Sequence, residues 1–180
     1  DQFDKVSDKA KAIMANLQAE GISVKFDDRD TYKPGWKFAE YEMKGVPLRI
    51  GIGPKDLEKN TVELARRDTL QKSFVDQNLL TETVKTSLSD IQNNLYGKAE
   101  NFMKDNTFKL NSYDEFKDTV TRKGGFVECY WDGTAATEEA VKRDTKATIR
   151  CIIEGADVKD KTCIYSGKDA VAKVLYAKAY

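Results

Sequence analysis

LTETVKTSLSDIQNNLYGKAENF, residues 80 to 102, is the stretch on which the reading of the fold turns. Its apolar residues Leu80, Val84, Leu88, Ile91, Leu95, Ala99 and Phe102 step by four, four, three, four, four and three. That spacing lays them along one face of an α-helix, and the Lys, Glu, Asp and Asn between them fall on the other. The pattern predicts a long amphipathic helix that packs along its stripe and joins two separately organised regions.

On its amino-terminal side, Asp4 to Glu20 sets Val6, Ala10, Ile13, Met14 and Leu17 on one helical face and stops at Gly21. Ile22 to Phe26 alternates as a strand does, and the turn-rich Asp27-Asp28-Arg29-Asp30 follows. Pro34-Gly35 opens a short helix through Trp36 to Met43, ended near Gly45. Val46 to Ile52 and Thr61 to Arg67 read as strands, with one helical turn at Asp56 to Lys59 between them. A helix is an unusual first element for an α/β unit. Because Asp1 is not an initiator methionine, we expect the chain to start just after a strand.

On the other side, Ser112 to Thr121 carries a capping box, Ser112 with Glu115 three residues on. Gly124-Gly125 breaks it, and Phe126 to Trp131 is strand-like. Thr137 to Thr145 has helical period, and Ala147 to Ile153 and Ala170 to Ala177 read as strands about a charged loop at Asp157 to Lys161. The expected organisation is α/β: a first domain over 1–72 with a mixed sheet flanked by helices, a linker over 73–110 with the long helix, and a small α+β domain over 111–180.

Thirty Lys and Arg balance thirty Asp and Glu, so the formal net charge is zero. Nucleic acid, if bound, must then be held by placed side chains rather than by a general positive field. Three cysteines cannot all pair and none lies in a CxxC, which fits a reducing, cytoplasmic setting. Histidine is absent, removing the commonest catalytic base and metal ligand together. No apolar run is long enough to span a bilayer.

Gly51-Ile52-Gly53-Pro54 follows a strand but lacks the third glycine of a dinucleotide fingerprint and the Gly-Lys-Ser/Thr of a P-loop. Pro54 also removes a backbone donor such a loop would need, so a tight turn is the better reading. Asp27, Asp28 and Asp30, interrupted by Arg29, read as a solvated turn rather than a cation loop. No catalytic constellation emerges, and the residues favour a binding module over an enzyme.

Pro34 to Ile50, PGWKFAEYEMKGVPLRI, closely resembles the anticodon-binding domain of prolyl-tRNA synthetases, as do Ile52 to Glu58, Val62 to Asp68 and Asp27-Asp28-Arg29. Gly124 to Glu128, Ala147 to Ile152 and Val174 to Tyr180 are similar to the extra carboxy-terminal domain of the archaeal and eukaryotic-like form of that family. The resemblance implies recognition of proline tRNA by the carboxy-terminal part of a proline–tRNA ligase. The ATP- and magnesium-dependent chemistry would belong to a class II catalytic domain whose motifs this chain lacks. It further implies a homodimeric parent, contact with that catalytic domain, and no DNA or membrane partner. Another class IIa anticodon domain, or a non-catalytic protein derived from a synthetase, remains an alternative.

Proline anticodons end in two guanines, and their reader needs carboxylates and cations side by side. The resemblance places base reading at Glu42, Arg49, Lys55 and Asp56, with Lys72 as a further candidate and Trp36 able to stack on a base. Arg66 and Arg67 are expected to contact the tRNA backbone. Tyr180 matches a family ending that reaches toward the active site. Many relatives hold structural zinc with four cysteines; here those positions are Asp132, Thr137, Cys163 and Ser166. We therefore expect no cofactor in this chain and no zinc, with hydrogen bonds among Asp132, Thr137 and Ser166 replacing the metal.

Overall fold

The structure is a computed structural model that describes residues 2–179. Tyr180, and the role expected of it, lie outside the described residues. The chain divides into two compact units, Asp1–Lys98 and Ala99–Tyr180. The boundary expected near residue 73 thus gives way to a first unit that runs well into the long helix.

In the first unit, helix α1 (Gln2–Ala19) is followed by α2 (Pro34–Met43), strand β1 (Leu48–Gly51), the short α3 (Pro54–Glu58), β2 (Thr61–Arg66) and β3 (Lys72–Asp76). A 3₁₀ turn at Gln77–Leu79, capped by the Asp76 carboxylate on the Asn78 N–H at 2.8 Å, leads into α4 (Leu80–Asp105). Strands pair in the order β1-β2-β3, antiparallel throughout. Alternation along β2 sends Val62 and Leu64 into a core shared with Leu17 of α1 and Leu80 and Val84 of α4. Glu63 and Ala65 therefore lie on the opposite face.

Two local expectations are corrected here. Ile22 to Phe26 joins neither sheet, although Ile22 and Val24 pack on the core as an alternating segment would. With that stretch unpaired, the first sheet is antiparallel rather than mixed. Conversely β3 was not anticipated, because Lys-Ser-Phe-Val-Asp offers the core only Val75 and carries its larger apolar residue, Phe74, outward. The α4 stripe is helical as expected, but its burial stops partway: Leu80, Val84 and Ile91 are buried while Leu95 and Phe102 are exposed.

In the second unit, β4 (Thr107–Lys109) runs parallel to β5 (Phe126–Trp131), and β7 (Ala172–Lys178) pairs antiparallel with both β5 and β6 (Ala147–Ile152). The mixed sheet has the order β4-β5-β7-β6. Helix α5 (Tyr113–Asp118), capped by Ser112, continues into a π-helical turn at Thr119–Lys123, and α6 (Ala135–Thr145) follows β5. The core gathers Phe116, Val127, Val141, Val174 and Tyr176, with Tyr176 edge-on to Phe116 at 5.3 Å. Gly125 has φ +85°, and a Cβ there would meet the Asn106 carbonyl oxygen at 2.5 Å. That carbonyl accepts from the Phe126 N–H at 2.8 Å, so only glycine permits the approach that starts the parallel pairing.

Candidate nucleic-acid interface

Strand register brings the first group of site residues together. Arg49 on β1 and Lys72 on β3 both pair with Ala65 of β2, so all three share one row on the face turned away from the core. Glu63 stands two residues along β2 on that same face, opposite Gly51 and Phe74. A cavity of about 240 Å³ opens above the row, with Phe38, Tyr41 and Glu42 of α2 supplying its other wall. Glu42, Arg49 and Lys72, named from the sequence, therefore line one space.

Arg49 is the most constrained of them. Its guanidinium lies 3.6 Å from the Phe38 ring centroid, a cation–π contact, and Nη1 donates to Glu63 at 3.2 Å. Its Nε is buried and has no acceptor. Lys72 Nζ stands 3.5 Å from the same Glu63 carboxylate. Small Ala65 between the two cations leaves the floor of the cavity open. A planar base entering it would meet a guanidinium, an ammonium and carboxylates at once. That mixture matches a guanine edge, which offers N1–H and N2–H₂ as donors and O6 and N7 as acceptors.

Of the remaining candidates, Arg66 and Arg67 also border this cavity but are engaged by protein partners, and the others fall elsewhere. Lys55 and Asp56 belong to α3, outside this cavity; Lys55 is exposed, and Asp56 Oδ2 accepts from the Gly53 N–H at 2.8 Å, capping its own helix. Arg66 pairs with Leu48 in the register, so its side chain leaves on the core side. There it forks onto Asp68 at 3.0 and 2.8 Å, with Asp90 at 3.9 Å. Those bonds, with one from Asn94 at 2.6 Å, hold the buried Asp68 well below the usual carboxylate range. Arg67 Nε donates to the Glu42 carbonyl at 2.9 Å and ties the end of α2 to the sheet. Trp36 stacks on Tyr32 at 4.0 Å, with the Arg29 guanidinium within 4.9 and 5.5 Å of the two rings. Arg29 is itself clamped by Asp27 and Glu40, so the acidic turn is a latch onto α2. Glu63 was missed from the sequence: on a strand it reads as an ordinary solvated acid, and only the register shows whom it touches.

In the second unit the Asp132 carboxylate is a node. Oδ2 accepts from Thr137 at 2.8 Å and from Ser166 at 2.6 Å, while Oδ1 accepts from the Thr134 hydroxyl and N–H at 2.9 and 3.1 Å. Burial pushes this carboxyl up, but the four hydrogen bonds outweigh it and bring it down to about 2. Structural zinc asks for four nitrogen or sulfur ligands, and here a committed carboxylate and two hydroxyls stand with one thiol, Cys163. The neighbouring Cys129 thiol is pushed up to about 12 by burial, which keeps it protonated. These residues do not fit zinc.

The first unit thus carries an antiparallel sheet with a cavity lined by side chains of both charges. Residues 2–87 match the family described as anticodon binding domain, and residues 113–180 match the one described as prolyl-tRNA synthetase, C-terminal. Among curated proteins, the proline–tRNA ligase of Porphyromonas gingivalis is 50% identical over the whole chain, that of Cytophaga hutchinsonii 48% and that of Christiangramia forsetii 47%. The chain spans only 36–37% of the length of these relatives.

Proposed function

We propose that this chain is the tRNA-reading portion of a proline–tRNA ligase and binds the proline anticodon through the first unit's outer sheet face. The observation that carries this reading is the convergence of Glu42, Arg49 and Lys72 on one cavity of about 240 Å³. The half-buried Arg49, with an unpaired Nε and an aromatic ring behind it, is pre-set to donate to a base edge. Activation of proline with ATP and magnesium, and its transfer to tRNA, is work for a catalytic domain of the longer parent, which we take to be a cytoplasmic homodimer. No helix among the described residues is long and apolar enough to cross a membrane.

Titration of the chain with anticodon stem-loops tests the reading. The proline loop is expected to bind at least tenfold more tightly than a threonine loop; equal affinity for the two overturns it. Pyrophosphate exchange with this chain alone is expected to stay at background.

We propose further that the second unit is closed by the Asp132 hydrogen bonds in place of zinc. Elemental analysis is expected to find zinc far below one atom per chain, and a stoichiometric amount refutes the idea.

A further inference from the structure

Glu63 contributes nothing to the core, yet it is the only described acid that touches both Arg49 and Lys72, with Arg49 Nη1 at 3.2 Å and Lys72 Nζ at 3.5 Å. The three residues come from three different strands, β1, β2 and β3. Opposite Glu63 stands Gly51, where a Cβ would lie 3.7 Å from the Glu63 Cβ and 3.8 Å from Arg49 Nη1. The two side chains meet over a residue that presents none of its own.

Arg49 and Lys72, without an acid shared between them, would attract any phosphate. Phosphate contacts position RNA but carry no sequence information, whereas base-edge contacts do. The Glu63 carboxylate offsets one of the two positive charges that Arg49 and Lys72 bring. That weakens the pull on a charged phosphate more than it weakens directional hydrogen bonds to a neutral base edge, and it fixes where the guanidinium points. Specificity is a difference between affinities, and weakening the wrong complex raises it as effectively as strengthening the right one.

We propose that Glu63 is a positioning residue that sets specificity: it holds Arg49 and Lys72 as base readers and keeps them from acting as general phosphate clamps. The proposal rests on the anticodon-reading function above. A cross-strand ion pair with a purely structural role would shift the melting temperature slightly and leave RNA discrimination alone.

The test is Glu63→Gln in the full chain, titrated by fluorescence anisotropy across a range of salt. The probes are the proline anticodon stem-loop and the same loop with its two anticodon guanines replaced by adenines. The variant is expected to bind the adenine loop roughly 5–10-fold more tightly while its affinity for the guanine loop changes less than about twofold, because a lost carboxylate favours phosphate contact generally. The slope of log K against log salt should steepen by about 0.7, one further phosphate neutralised on a single strand. Glu63→Asp should restore part of the discrimination. An equal shift for both loops, or an unchanged slope, overturns the proposal while leaving anticodon reading standing. A native chain that does not distinguish the two loops removes anticodon reading itself, and the role of Glu63 with it.

Discussion

Glu63 and Asp132 are both carboxylates surrounded by polar partners, one in each unit, and they differ in how completely those partners are matched. Asp132 sits behind β5, and both its oxygens are filled by Thr134, Thr137 and Ser166. Every donor that reaches it comes from its own unit, and the cluster is closed. Glu63 holds two cations that carry more charge than it does, and beside it Arg49 Nε points at no acceptor. A satisfied buried network fixes structure, while an under-satisfied one at the mouth of a cavity is prepared for a partner from outside. The contrast is the one expected between a staple and a reading site, the two roles proposed above.

The contrast breaks most visibly at Asp132. Asp132→Ala is expected to lower the stability of the second unit by about 3 kcal/mol, since hydrogen bonds to a charged group are lost and their donors stranded. Chemical denaturation would show it, and binding of the anticodon loop should move by less than a factor of two. Acid acts on the same group. Its folded value, about 2, lies below the ordinary carboxylate value, so its stabilisation is complete above about pH 4 and is lost as pH falls through 2. Roughly 2 kcal/mol should disappear over that window. Asp132→Asn should flatten the acid limb of the melting profile, and an unchanged limb would mean that the node does not hold the unit.

At the reading site the effects should appear in binding and hardly at all in melting. Arg49→Ala is expected to cost about 1–3 kcal/mol of affinity for the proline loop, the worth of a good base contact. The loss should shrink toward zero when the contacted guanine is replaced. Asp56→Ala sharpens the comparison from the other side. If Asp56 is the cap that its geometry shows, the change costs about 1 kcal/mol of stability and leaves discrimination among loops intact. Loss of discrimination with unchanged stability would return Asp56 to the list of base readers.

Much of this was legible before any coordinates. The steps of four and three from Leu80 gave α4, the Ser112 box gave the start of α5, and Gly124-Gly125 gave the end of the π-helical turn that continues it. The hydrogen bonding of Asp132 with Thr137 and Ser166 was anticipated from the positions that resemblance assigned. What escaped was whatever depends on strand register. Arg66 and Arg67 look equivalent in sequence, but alternation sends the first under α4 to Asp68 and Asp90, and Arg67 turns back to the end of α2. Glu63 meets residues fourteen positions before it and nine after, a neighbourhood that no local pattern encodes. Strand β3 failed to announce itself because a single inward valine cannot establish a period.

The order β4-β5-β7-β6 has a further consequence, for synthesis. One of the two inner strands of the second sheet, β7, is the last of the four strands to leave the ribosome. Until Ala172–Lys178 emerges, β5 and β6 have no ladder between them, and each keeps an open edge bearing apolar residues. Nascent chains stalled before residue 172 should therefore be protease-sensitive and prone to aggregate beyond the first unit, and the final strand should convert them in one cooperative step.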